Sequence, residues 1–133
     1  VKTSAGIDFV CAVVSSTSSN GTGTYAAANY IALTANSTAP SSSDTTLTGE
    51  INNASGGLNR AQATYAHTVG ASTYTLSKTF TANSNDGSSN TINKIGIFNA
   101  SSSGTLVYED AVTSPPTLVS GDSLTITNTV TVS

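Results

Sequence analysis

The alternation of apolar and polar positions is most regular near the end of the chain. Across residues 123–132, Leu124, Ile126, Val130 and Val132 fall on one face and Thr125, Thr127, Thr129 and Thr131 on the other. That is the period-two pattern of a strand with one face on a core. Its regularity and its freedom from proline predict a central place in its sheet. Residues 73–82 repeat the pattern, with Tyr74, Leu76 and Phe80 on one face and Thr73, Thr75, Ser77, Thr79 and Thr81 on the other. Lys78 falls in the apolar series, which predicts a site near the sheet end with the amine reaching water. Paired with residues 61–67 across a turn at 69–72, where Gly70 supplies flexibility, this run predicts a β-hairpin. A further hairpin spans residues 91–110. There Ile95, Ile97 and Phe98 are answered by Leu106, Val107 and Tyr108 across a loop in which Asn99 and Gly104 are best suited to φ > 0. Ile92 and Ile95 are one residue out of phase, which predicts a β-bulge near Asn93 and Lys94.

The intervening stretches are shorter signals. Residues 30–34, YIALT, read as a strand. A loop follows, stopped by Pro40, and Asp44 is placed to cap a short helical turn within residues 45–51. Turns are expected around Asp86-Gly87 and at Ser120-Gly121-Asp122. Pro115-Pro116 enforces extended, non-helical backbone. About seven short strands with turn signals between them predict an all-β fold, an antiparallel β-sandwich of jelly-roll or immunoglobulin-like kind. Thr-rich outer faces fit sheets with one solvated side.

The N-terminal run, residues 7–14, is too continuous for alternation and too short to define a helix. Ile7, Phe9, Val10, Val13 and Val14 are too apolar to stay in water, and the following SSTSSNGTGT, residues 15–24, has linker composition. The chain therefore reads as one domain, residues 1–133, whose segment 1–24 has two outlets. It packs at home as a short helix, or it lies as an exchanged strand on a neighbouring subunit's open sheet edge. A start at Val1 rather than Met reads as a chain that has lost an N-terminal segment or is a mature product.

Composition narrows the function classes. Of 133 residues, 37% are hydrophobic and only 8% charged, well below the usual quarter. The apolar residues are periodic rather than scattered, which argues against disorder. Net charge is −3, and Lys2, Arg60, Lys78 and Lys94 are dispersed, so no basic patch for nucleic acid is expected. No apolar run reaches the length of a membrane span. Cys11 is the single cysteine, which excludes an intrachain disulfide and reads as a small buried hydrophobe.

Candidate chemistry is sparse. His67 is the single histidine, with no nucleophile-elbow sequence to serve, and reads as a strand-end residue facing solvent. Glu109, Asp110 and Asp122 could meet at one end of a sandwich, but no Ca²⁺-loop spacing accompanies them, and they read as solvated acids. Glu50 and Arg60 flank the 51–59 loop and are expected to close it with a salt bridge. Catalytic, cofactor and metal sites are therefore assigned to no residue. Sequons begin at Asn20, Asn36, Asn53 and Asn99, all in expected loops. They are silent in a bacterial virus and open to glycosylation on an archaeal or eukaryotic surface.

Four blocks carry a family likeness: residues 30–51 (YIALTANSTAPSSSDTTLTGEI), 57–82 (GLNRAQATYAHTVGASTYTLSKTFTA), 92–110 (INKIGIFNASSSGTLVYED) and 120–133 (SGDSLTITNTVTVS). In this order the chain resembles small phage virion structural proteins of the tail-fibre or capsid-decorating kind. The likeness covers the chain from near its start to residue 133. It implies a virion-surface β-domain that has no catalytic residues and associates with copies of itself and with other virion proteins. The serine richness and the linker at 15–24 depart from the pattern. They leave room for a secreted filament subunit, a pilus or thread on a cell surface, assembled by donor-strand complementation. A carbohydrate-binding adhesin using Tyr25, Tyr30, Tyr65 and Tyr74 as stacking platforms is the third reading.

Overall fold

The computed structural model describes Cys11, Val14 and residues 26–132. The order of strands is β1 Tyr30–Thr34, β2 Ala61–Gln62, β3 Thr64–His67, β4 Thr73–Thr81, β5 Asn90–Thr91, β6 Lys94–Phe98, β7 Leu106–Ala111, β8 Thr117–Leu118 and β9 Ser123–Thr131. All named pairings are antiparallel. One sheet has the order β2-β1-β6-β7 and a second the order β3-β4-β9, while β5 and β8 form a two-stranded ribbon. The two larger sheets pack as the antiparallel β-sandwich that the alternation predicts. Nine strands replace the expected seven or so because two sequence runs each divide between partners.

The first division falls at Ala63. Residues 61–62 pair with β1 and residues 64–67 with β4, so only the second part of the run forms the expected hairpin. The Ala63 amide donates to the Asn29 carbonyl at 2.8 Å. A small buried residue at the crossing lets one continuous stretch serve both layers. The second division lies at Ile92-Asn93, where the chain leaves β8 and joins β1 and β7. The phase slip between Ile92 and Ile95 is thus a change of sheet, not a bulge at 93–94. The register irregularity in this hairpin sits between Ile97 and Phe98, opposite β7, and leaves Val107 exposed.

The main core lies between the sheets. Ile31, Leu33, Ile95 and Ile97 come from one sheet and Tyr74, Leu76, Phe80 and Ile126 from the other, with Leu58, Ile92 and Leu118 added from connections. Alternation placed these side chains inward, and the Thr faces of β4 and β9 point out as expected. The first sheet differs, because it is covered on both sides. All five residues of β6 are buried, and Ala32 and Phe98 on its far face pack with Leu47. Leu47 arrives on residues 35–50, which form no helical turn. The Thr34 hydroxyl, 2.7 Å from the Thr48 carbonyl and 2.9 Å from that of Gly49, holds this loop on the sheet. Asp44 caps no helix. Its carboxylate accepts from the Ser41 amide at 3.1 Å, closing a turn upstream of itself.

Three further expectations are corrected. Strand β9 is the terminal strand of its sheet, not a central one, because alternation reports which face is buried and is blind to how many neighbours a strand has. Lys78 lies well inside β4, opposite Ile126, and is half-buried there, so the inner face of this sheet is incompletely closed at that point. In the 99–104 loop the positive φ angles belong to Ser103 and Gly104. Asn99 is instead buried, and its side-chain oxygen accepts from the Thr105 amide at 2.8 Å.

Cys11 and Val14 are helical. Cys11 is fully buried in the main core, and the Val14 carbonyl accepts from the Ala28 amide at 2.8 Å. Ile7, Phe9, Val10 and Val13, named above for an intersubunit role, lie outside the described residues. Replacing Ile97 by Ala removes a fully buried side chain from the centre of this core and is expected to cost roughly 2–5 kcal/mol. The exposed Val107→Ala change is expected to stay within about 0.5 kcal/mol. Urea denaturation of both variants against the parent measures the contrast.

Candidate functional site

The buried ion pairs and the buried Asp86 carboxylate each hold a loop. Arg60 and Glu50 form the expected salt bridge as a two-pronged pair, Nε to Oε1 at 2.8 Å and Nη2 to Oε2 at 2.7 Å. The guanidinium lies 3.5 Å from the centre of the Phe98 ring and donates through Nη1 to the carbonyls of Ala100 and Ser103. It is far from a loose surface pair, with side-chain exposures of 8% and 22%. Planarity, five fixed donors and weak hydration suit arginine to such a stacked, forked position. Its donors are directed at this chain's own groups, so its role here is to fasten the β6–β7 loop to the approach into β2.

Asp86 is the signal that sequence reading missed. Residues 84–86 form a single 3-10 turn capped by Asn83, with Gly87 at φ 89° closing it. The buried Asp86 carboxylate accepts from the amides of Asn83 at 2.9 Å, Gly57 at 2.9 Å and Leu58 at 3.2 Å. Burial pushes its pKa up. Hydrogen bonds from the backbone of Asn83, Gly57 and Leu58 and from the Asn53 side chain outweigh this and hold it below the ordinary 3.8. Gly57 must be glycine for the approach to occur, since a Cβ there would meet the Thr81 carbonyl oxygen at 1.8 Å. The Gly56-Gly57 pair beside a distant Asp was the available clue, and spacing alone could not join them.

The remaining acids and the histidine do not converge. Glu109 is buried against Lys94 at 3.2 Å, with side-chain exposures of 5% and 3%, and its other oxygen accepts from the Ser41 amide. Asp122 closes the turn before β9 by accepting from the Val119 amide at 2.9 Å. Among the described residues no group of His, Cys, Asp or Glu is arranged to hold a metal ion. His67 sits at the mouth of the β3–β4 hairpin, half-buried rather than facing solvent, with Nδ1 2.9 Å from the Thr73 carbonyl.

Tyr74 is buried and Tyr65 packs against the same core, their rings 5.5 Å apart and tilted by 42°. They offer no coplanar exposed platform, and Tyr25 is outside the described residues. Tyr108 spans the two layers by accepting a 2.6 Å hydrogen bond from Asn128. Burial, then the neighbouring Tyr74, push its phenol pKa up, so it stays neutral. Of the sequon residues, Asn36 is half-buried with its side-chain oxygen on the Thr38 amide, Asn53 is half-buried beside Asp86, and Asn99 is buried. Asn20 is outside the described residues.

What remains on the surface is a sheet face. The outer side of β3-β4-β9 presents Thr64 and Ala66, then Thr73, Thr75, Ser77, Thr79 and Thr81, then Ser123, Thr125, Thr127, Thr129 and Thr131. Hydroxyls bond across it: Ser77 donates to Thr127 at 3.1 Å, while Thr79 and Thr125, and Thr81 and Ser123, lie 2.8 Å apart. No charged residue interrupts it. β-Branched Thr fills the outward positions of both strands except Ser77 and Ser123, which favours extended backbone, and hydroxyl pairs run across the face.

A sandwich whose buried charges fasten loops and whose β3-β4-β9 outer face is an uncharged, hydroxyl-rich array is a structural β-domain. Residues 12–133 match the family described as podophage GP4 fiber I protein gp80. The chain belongs to that family, and is a structural protein of phage fibres. No curated protein and no solved structure matches it.

Asp86→Asn is expected to destabilise the protein at neutral pH by about 1–3 kcal/mol, since a buried cluster of amides loses its charged acceptor. Because the folded pKa is depressed, the parent's advantage is fully present above about pH 4 and fades as pH falls through the folded pKa. Denaturation midpoints of parent and variant should therefore converge in acid. Arg60→Ala, which strands the largely buried Glu50 and bares Phe98, is expected to cost about 2–4 kcal/mol, read in the same assay.

Proposed function

We propose that this protein is a non-enzymatic building block of the phage fibre and works by symmetric self-association on the virion surface, next to other virion proteins. The observation that carries the reading is the hydroxyl face of β3-β4-β9, in a chain that belongs to a phage fibre family. A fibre must present stable, repetitive surface to water and to neighbouring subunits. An uncharged array of Thr and Ser can do both, because approaching copies meet no like charges and each hydroxyl can donate or accept. Buried polar groups support a rigid component: the Asp86, Arg60 and Glu109 interactions fix the loops that would otherwise move. No helix among the described residues is long and apolar enough to cross a membrane.

Two measurements test the proposal. Sedimentation velocity across a range of concentrations should reveal a discrete oligomer, unchanged by EDTA since no His, Cys, Asp or Glu group among the described residues is arranged to hold a metal ion. Gold-labelled antibody against the protein should decorate fibres on intact phage particles. A species that stays monomeric at all concentrations removes the self-association reading, and labelling absent from virions removes the placement.

A further inference from the structure

The open edge of β9 is marked for another copy of itself. The Ala82 amide donates to the Asp122 carbonyl and the Val132 amide to the Ser72 carbonyl. These bonds at the two ends of the β4–β9 ladder show that even-numbered residues of β9 direct their backbone groups toward β4. The odd-numbered residues, Ser123, Thr125, Thr127, Thr129 and Thr131, therefore direct theirs to the open side. β9 is terminal in its sheet, nine residues long, and free of proline, charge and register shift. Edge strands are normally blunted by one or more of those devices. β7, an edge strand of the other large sheet, has two of them, a register shift beside Val107 and the exposed charge of Asp110.

We propose that β9 pairs antiparallel with β9 of a second copy about a two-fold axis through Thr127, an inference that rests on the self-association reading above. The strand is close to palindromic about that residue. Thr125 would face Thr129, Ser123 would face Thr131, and Thr127 would face itself, so each outward pair is hydroxyl against hydroxyl. On the inner side Leu124 would face Val130, and Ile126 would face Asn128. The register brings odd residues opposite odd residues, which the direction of the free backbone groups requires. An unrelated partner strand would demand no such internal symmetry, whereas an isologous interface does. The existing hydroxyl pairs between β4 and β9 would simply continue across the axis. The result is a six-stranded sheet, β3-β4-β9 joined to the same three strands of the second copy, with one continuous uncharged face.

A single cysteine at the axis tests the register. Directly opposed, hydrogen-bonded residues have Cα atoms about 5.5 Å apart, within the span of a disulfide. Under mild oxidation the full-length Thr127→Cys protein should form a covalent dimer about tenfold faster than Ser123→Cys, whose opposite number is Thr131. Both changes replace an exposed hydroxyl by a thiol, and circular dichroism should show both folded. The parent, with its buried Cys11, is the control. If the protein sediments as an oligomer but the two variants crosslink equally slowly, the β9 pairing is wrong and self-association stands. If every form is monomeric, both fall. Preferential crosslinking at residue 127 supports both.

Discussion

The Asp86 carboxylate is the point on which the rest of the arrangement hangs. It reaches from the connection after β4 to the backbone of Gly57 and Leu58, and so joins parts of the chain 28 and 29 residues apart. Leu58 is thereby seated in the main core. Arg60, two residues on, is aimed at Glu50 and Phe98, and the chain is delivered to the crossing at Ala63. A carboxylate with several charge-assisted donors in a buried setting resists displacement far more than a lone neutral hydrogen bond does.

The low charge content takes on meaning in that light. Charges are few, and those described are mostly spent fastening loops: Arg60 with Glu50, Lys94 with Glu109, and Asp86 and Asp122 on backbone amides. Thr and Ser are left to make the surface. This division of labour suits a protein that must fold without help from a disulfide and then tolerate close neighbours. Buried ion pairs are costly to break and of modest net value compared with an apolar core, so their worth here lies in fixing which loop goes where. The second covering layer, residues 35–50 over β1 and β6, shows the same economy. Leu47, the Thr34 hydroxyl and Glu109 are enough to hold a long loop flat.

Much of the architecture was legible in the chain. Residues 73–81 and 123–131 were readable as strands because alternation is written locally, and it also told which side chains face inward. Residues 30–34, buried on both faces, were readable as a strand but not for which side faces the main core. The hairpin at 94–111 was readable from two apolar runs and a polar gap. The Glu50–Arg60 bridge followed from two opposite charges at the ends of one loop. Other expectations failed where a local signal had two physical outlets. A phase slip can be a bulge or a change of sheet, and at Ile92-Asn93 it is the latter. An Asp before a polar run can cap a helix or close a turn, and Asp44 closes a turn.

What the sequence determined by itself is therefore the extended, one-face-apolar character of the long strands and the hydroxyl chemistry of their outer faces. Each residue's own shape and polarity set these, and no distant partner is needed. Only the tertiary structure decided that residues 61–67 serve two sheets, that β9 ends its sheet, and that Asp86 meets Gly57. Those outcomes depend on which of several chemically similar strands pair and on which distant amides a carboxylate can reach. They are properties of pairs of residues far apart in the chain, settled when the core closes, and the local pattern of any single stretch is compatible with more than one of them.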